Sequence, residues 1–272
     1  MEKARLDVLL YNLGFAKSRE KAKQMIVNGQ VIVDNKIVTK PSELCCAESV
    51  FEINKDVGSY VGRGGYKLEK AIETFAIDLK DRICIDVGAS TGGFTQVMLK
   101  NNCSYVYAVD VGTNQLAEEL AANDKVKSIE NTNFRYIDIK IFDKDVDFIA
   151  IDVSFISLSH ILPKVCEILA CREAIDVVAL VKPQFEAGKE FVGKNGIVKD
   201  KKIHLKVLDK VYAYCADNSL HIVNVTYSPI KGGSGNIEYL VHIKKCPKDS
   251  FEANKNQMFS NVVQDAYKKL KD

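Results

Sequence analysis

The chain predicts an α/β fold built on a seven-stranded, mostly parallel sheet, with a small α+β module in front of it. Three observations carry this. Seven apolar, strand-like runs alternate with helical patterns from residue 81 onward, a glycine-rich turn follows the first of them, and residues 54–65 interrupt all periodicity. Such alternation produces parallel strands covered on both faces, with ligands beyond their carboxyl ends. At 272 residues and 47% hydrophobic content, there is material for one large core and one small one.

The small module is expected over residues 1–56. Leu6, Leu9, Leu10 and Leu13 keep the i, i+3, i+4, i+7 spacing of a helix that Gly14 ends. Ser18 is placed to cap a second helix with Ala22, Met25 and Ile26 inward and Gly29 behind it. Two β-branched runs, 31–33 and 37–38, flank the turn formers Asp34, Asn35 and Lys36. Overall charge is only +2, but residues 1–40 hold eight Lys/Arg against four acids. Arg19 and Lys23 at i, i+4, with Lys17 just before them, gather cations on one face, which suits a phosphate backbone as well as it suits plain solvation. Residues 54–65, NKDVGSYVGRGG, are rich in turn formers, and 57–65 are read as the linker to a large domain at 66–272.

In the large domain, "GGYKLEKAIETF" places Leu68, Ala71, Ile72 and Phe75 on a buried stripe and Lys67 in the first turn, where the helix dipole disfavours a cation. The strands follow as "RICIDVG", "SYVYAVDVG", "VKSIEN", "DFIAIDVS", "AIDVVALVKP", "LHIVNVTYSPI" and "IEYLVHIK", and "FSNVVQDAYKKLKD" reads as a terminal helix packed on the sheet.

"IDVGASTGGF" joins the first strand to a helix. Gly88, Gly92 and Gly93, with Ala89, Ser90 and Thr91 between them, allow a ligand to approach the backbone closely. A phosphate loop is excluded because no Lys-Ser/Thr follows, while a dinucleotide fold stays open, since Asp110 ends the next strand 17 residues after Gly93. Asp86, just ahead of Gly88, would repel a diphosphate and favours a ligand with one ribose and a positive charge. S-adenosylmethionine has both. On that reading Asp86 lies near its amino-acid end, Asp110 at the ribose, and Asn133 and Phe134 frame adenine, with Val111 and Asp152 also expected to line the cofactor site.

Asp152, Lys182 and Glu238 interrupt apolar stretches at strand boundaries, which the parallel topology is expected to bring to one rim, beside Lys67. The order Lys67, Asp152, Lys182, Glu238 resembles the K-D-K-E tetrad of FtsJ-like ribose 2′-O-methyltransferases. With "DVGASTGGFT", "DVSFISL", "LVKPQFE" and "GNIEY", and a front end matching the S-four-type RNA-binding signature over residues 5–33, the chain resembles the TlyA family of hemolysin-named rRNA methyltransferases. The resemblance implies a Rossmann-like class I methyltransferase behind an S-four-type domain. It implies methyl transfer from S-adenosylmethionine to a cytidine 2′-hydroxyl of 16S or 23S RNA within ribosomal subunits, and RNA-facing positions at Arg5, Lys17, Arg19 and Lys23.

The chemistry asks for removal of a hydroxyl proton and in-line alignment of oxygen, methyl and sulfur, with no metal. Lys182 is expected to take the proton, with Lys67 and partial desolvation favouring its neutral form and Asp152 and Glu238 opposing this while orienting it. The rival role is electrostatic, a charged Lys182 beside developing alkoxide. The segment 183–202, with Lys189, Lys194, Lys199, Lys201 and Lys202, reads equally as an RNA grip, a closing loop or a solvated surface.

The eight cysteines are scattered without a CxxC pair, which argues for buried thiols and against zinc. No apolar run approaches the ~18 residues of a membrane span, and MEKARLD lacks a signal peptide's apolar centre. A cytoplasmic monomer without stable membrane association is expected. The competing readings are a non-catalytic RNA-binding protein and a membrane-active hemolysin. A base methyltransferase is disfavoured because neither an Asn/Asp-Pro-Pro-aromatic nor a catalytic-cysteine motif is present.

Overall fold

The structure is a computed structural model and describes residues 3–27, 29–34, 36–53, 60–170, 175–245 and 254–270. The chain forms two compact units, residues 1–63 and 64–272. Of the expected linker, 57–59 lie outside the described residues, whereas Gly64 and Gly65 already belong to a helix.

In the first unit, β1 (Lys3–Arg5), α1 (Leu6–Asn12), α2 (Arg19–Val27), β2 (Val31–Val33), β3 (Lys36–Ile37), β4 (Leu44–Cys46) and β5 (Phe51–Ile53) follow in order. β1 pairs with β4, and β3, β2 and β5 make a three-stranded sheet. Both helices stand as expected, and the Ser18 hydroxyl accepts the Lys21 N–H at the start of α2. Leu6, Leu9, Leu10, Ala22, Met25 and Ile26 are buried with Val31 and Val33. Leu13 is a correction: α1 stops at Asn12, so this residue falls past the buried stripe and is exposed. β1, β4 and β5 gave no periodic signal because each has only three residues and is held by a partner remote in the chain.

The second unit continues with α3 (Gly64–Phe75), β6 (Ile83–Val87), α4 (Gly93–Lys100), β7 (Tyr105–Val109), α5 (Glu118–Ala121), β8 (Val126–Ile129), β9 (Phe148–Ile151) and α6 (Leu162–Leu169). It ends with β10 (Asp176–Val181), α7 (Pro183–Glu186), α8 (Lys201–Asp217), β11 (His221–Tyr227), β12 (Tyr239–Lys244) and α9 (Lys255–Lys269). All seven expected strands form one sheet in the order β11-β12-β10-β9-β6-β7-β8. β9 and β10 are buried at every position, as strands covered on both faces must be. The terminal helix packs as expected, burying Phe259, Val262, Val263 and Ala266.

Two features of the topology position the site. β6 pairs with β7 on one side and β9 on the other, so the strand order reverses beside β6 and opens a crevice at its carboxyl end. β12 runs antiparallel to both β10 and β11. Cys45, Cys84, Cys103 and Cys215 are buried free thiols, with Cys46 and Cys166 half-buried; Cys171 lies outside the described residues. Among the described residues no cluster suited to a metal ion occurs.

Candidate active site

Asp152 follows β9, Lys182 follows β10, Glu238 precedes β12 and Lys67 lies near the start of α3. The expectation that parallel strands would gather all four needs correction at Glu238. Were β12 parallel, its first residue would stand at the far edge of the sheet, roughly 20 Å away for a six-residue strand. Because β12 is reversed and Tyr239 stands across from Val181, Glu238 arrives at the rim where β10 delivers Lys182.

The four side chains form one ion-paired cluster. Lys182 Nζ stands 2.6 Å from Asp152 Oδ1 and donates to Ser154 Oγ at 2.8 Å. Lys67 Nζ donates to Glu238 Oε2 at 2.6 Å and lies 3.9 Å from Asp152 Oδ2. Asp152 therefore bridges the two amines through separate oxygens. Lys67, Lys182 and Glu238 are all buried, and ions withdrawn from water persist only when paired. That accounts for a lysine in the first turn of α3: Glu238 supplies what the helix dipole denies it. Gly232 supports the arrangement, since a Cβ there would come within 2.3 Å of Glu238 Oε1.

Asp86 is fully buried at the end of β6. Its Oδ2 accepts from the Thr95 N–H at 2.8 Å and the Thr95 hydroxyl at 2.7 Å, while Oδ1 is buried without a partner. Burial, outweighing the two Thr95 hydrogen bonds, pushes its carboxyl up to about 7, with Asp152 and Asp110 adding to the rise. Gly88 and Gly92 have φ of +85° and +94°, and a Cβ on Gly88 would strike the Asp152 carbonyl oxygen at 2.5 Å. The loop thus needs glycine there to pass close to the tetrad. Ala89 and Gly93 are buried, whereas Ser90 and Thr91 are exposed. Asp110 accepts from the Ser90 N–H at 2.8 Å and the Gly112 N–H at 2.7 Å, each of its oxygens keeping a lone pair for a further donor. Val111 beside it is an exposed apolar side chain.

Asn133 caps a short 3₁₀ turn, accepting from the Arg135 N–H at 3.2 Å. The expectation for Phe134 is corrected. Its ring is buried in the main core with Val109, Ile129 and Ile137, so packing accounts for it and Val111 is the apolar surface open to a base. These residues fit a ligand that brings a cation to Asp86 Oδ1 and hydroxyls to Asp110.

Several residues of the site carried no sequence signal of their own. Ser154 joins the cluster only because the β9 loop folds back onto Lys182. Phe155 is 91% exposed at φ +63°, with its ring 5.1 Å from that of Phe185. Those two rings line a cavity of about 480 Å³ with Arg135, Ile156, Ser157 and His160. Glu186 holds the loop from behind, accepting from the Ser157 hydroxyl at 2.7 Å and the Leu158 N–H at 2.8 Å. "DVSFISL" and "KPQFE", adjacent to two tetrad members, were the available hint.

Residues 60–245 match the FtsJ-like methyltransferase family. The chain belongs to that family. A candidate rRNA methyltransferase of Bacillus subtilis is 44% identical over the whole chain, which covers 96% of that relative. The 16S/23S rRNA (cytidine-2′-O)-methyltransferase TlyA of Mycobacterium tuberculosis is 39% identical over 89% of the chain and 90% of its own length. The solved structure of a candidate hemolysin from Streptococcus thermophilus aligns with a TM-score of 0.77 at 44% identity, covering 100% of this chain and 98% of that one. Among the described residues of this FtsJ-like protein, no helix is long and apolar enough to cross a membrane.

Residues 4–51 match the S4 domain. In this unit Arg5 and Arg19 share one carboxylate. Asp7, fully buried, accepts from Arg5 Nε at 2.9 Å and from Arg19 Nη2 at 3.0 Å. The Arg5 guanidinium, with help from Arg19, holds the Asp7 carboxyl below its usual range against the cost of burial. The guanidinia stay about half exposed, so Asp7 fixes their direction and leaves their outer edges to a ligand. Lys17 is exposed, and Lys23 pairs with Glu20 at 3.1 Å on the surface, a contact worth little.

Proposed function

We propose that this FtsJ-like protein methylates the ribose 2′-hydroxyl of a cytidine in ribosomal RNA, of the small or large subunit, using S-adenosylmethionine. The observation that carries this reading is the Lys182 amine, buried at the rim and held by Asp152 and Ser154 on two sides. Nζ donates one hydrogen bond, to Ser154, and faces Asp152 as an ion pair, which leaves it able to meet a reacting oxygen. The names of the relatives, rRNA and cytidine-2′-O among them, point the same way.

Asp86, the loop Gly88, Ala89, Ser90, Thr91, Gly92 and Gly93, Asp110, Val111 and Asn133 would hold the cofactor. When bound, the cofactor supplies a methyl group already activated by sulfonium charge. The work of this chain is then to bring the 2′-oxygen into line and take its proton. Lys182 would accept the proton of the hydroxyl as the methyl group leaves sulfur for the 2′-oxygen. Asp152 stabilises the resulting ammonium, and Lys67, fixed by Glu238, adds a positive charge near the oxygen as it becomes anionic. Phe155 and Phe185 offer stacking surfaces to the base. Residues 1–56, through Arg5, Lys17, Arg19 and Lys23, bind the RNA, and 66–272 act on it in the cytoplasm, where ribosomal subunits are at hand.

The test is to incubate separated ribosomal subunits with the protein and methyl-labelled cofactor and map the label. Ribose methylation at cytidine is expected, slowed ~10²–10⁴-fold by Lys182→Ala, the range for loss of an acid–base group. Label on a base, or none in RNA, would overturn the reading. A single-turnover rate that stays flat with pH would assign Lys182 the electrostatic role instead.

A further inference from the structure

Between Glu186 and Val207 six lysines are exposed, Lys189, Lys194, Lys199, Lys201, Lys202 and Lys206, against two exposed acids, Glu190 and Asp200. This stretch is not a flap. The Val198 N–H donates to Asn236 Oδ1 at 2.9 Å, and Asn236 Nδ2 donates to the Gly196 carbonyl at 2.7 Å. Asn236 is fully buried two residues ahead of Glu238, and its own carbonyl accepts from the Gly232 N–H at 2.9 Å. Behind the stretch, the His204 ring bonds the Val198 carbonyl at 2.9 Å and the Tyr267 hydroxyl donates to the Lys199 carbonyl at 2.7 Å. The backbone that carries the lysines is thus stitched to the loop that delivers Glu238, and swinging it would break buried hydrogen bonds.

We propose that residues 189–206 form a fixed cationic rail on the catalytic unit, which holds the phosphates of the RNA strand whose ribose enters the tetrad. The proposal rests on the functional reading above and names what holds the substrate beside the tetrad. A ribose delivered to Lys182 brings its flanking phosphates to the same rim, because they are bonded to it. The surface that meets them must then be cationic or bear their repulsion. Aromatic rings interleave with the lysines as a nucleic-acid surface requires: Lys206 Nζ lies 5.8 Å from the ring centre of the exposed Phe191, and Lys201 Nζ lies 5.0 Å from that of Tyr267. Rigidity adds to the fit, since a preformed surface loses little freedom when a strand lands on it.

The experiment uses the full chain and a labelled single-stranded RNA 20-mer, titrated at several salt concentrations. Replacing Lys194, Lys199 and Lys202 together with Gln should weaken binding more than tenfold at low salt. It should also flatten the plot of log affinity against log salt by about 0.7 per lost contact, or roughly two units. The melting temperature and the affinity for free cofactor should stay those of the parent protein. Parental affinity and slope in the triple variant, with Arg19→Ala alone weakening binding, would overturn the rail and leave the first unit as the sole RNA holder. Failure of the parent protein to methylate rRNA would sink the functional reading, while the salt plot would still decide the rail.

Discussion

Lys182 follows β10 and Glu238 precedes β12, one step beyond the Val181–Tyr239 pair of two antiparallel strands. Their neighbourhood is a product of strand direction alone, and the site's behaviour under substitution follows from it.

Breaking the Lys67–Glu238 pair should destabilise the fold as well as halt catalysis. Both side chains are at least nine-tenths buried, so Glu238→Gln leaves the Lys67 ammonium only the more distant Asp152 carboxylate, at a cost of up to about 3–5 kcal/mol. Replacing both partners with apolar residues, Lys67→Met with Glu238→Leu, should recover most of that in urea unfolding while methyl transfer stays lost. Equal stability of the single and double variants would show that the pair is energetically slack.

Gly232→Ala should lower activity and stability together, without replacing either charged residue. The new methyl group would overlap the Glu238 carboxylate, the far end of a side chain that can turn aside, and turning it aside breaks the buried pair with Lys67, so the fold should lose up to the about 3–5 kcal/mol of that pair. The carboxylate would leave Lys67, and the single-turnover rate should fall at least tenfold at saturating RNA. An unchanged rate would mean that Glu238 need not touch Lys67 during the reaction.

Phe155 is held at φ +63°, in the left-handed region, with nearly all of its ring in solvent. Its contact with the Phe185 ring leaves it almost fully exposed, so packing does little to repay that strain. Phe155→Gly should therefore leave unfolding free energy within about 1 kcal/mol of the parent, since relief of strain offsets the entropy of glycine. RNA methylation should fall roughly 5- to 150-fold, the equivalent of one stacked base at about 1–3 kcal/mol. Measured kcat/KM at parental level would remove the base platform.

Asp86 should make both stability and cofactor binding depend on pH. Burial raises its carboxyl from 3.8 to about 7, so between those values the folded chain holds a proton that the unfolded chain releases. Its contribution to stability is complete below 3.8 and is lost as pH rises through about 7. A bound cation prefers the carboxylate, so S-adenosylmethionine affinity should rise over the same upper range. Melting curves and calorimetric titrations on either side of neutrality should show opposite slopes, and Asp86→Asn should flatten both. Parallel slopes would separate Asp86 from the ligand.

Much of the candidate site was legible along the chain because charged residues stand out against apolar strand runs. The K-D-K-E order, the glycines at 88, 92 and 93 and the Ser18 cap needed no coordinates. Phe134 misled because an aromatic after a strand looks the same whether it faces a ligand or a core. The short strands of the first unit were hidden for a related reason, since their partners lie far away in sequence, and the burial of Asp7 because a carboxylate two positions from Arg5 looks like a surface residue until the helices pack.

By itself the sequence determined the seven strands, the helices between them and the residues able to carry charge at their ends, since periodicity and capping are local properties. Tertiary structure alone decided that β12 runs backwards, that Ser154 reaches Lys182, that Asp7 directs two arginines and that Asn236 pins the lysine-rich stretch. Each is a contact between segments with no pattern in common. Strand direction, which turns Glu238 from a residue at the wrong edge into the partner of Lys67, is settled only when the whole sheet buries its apolar faces at once.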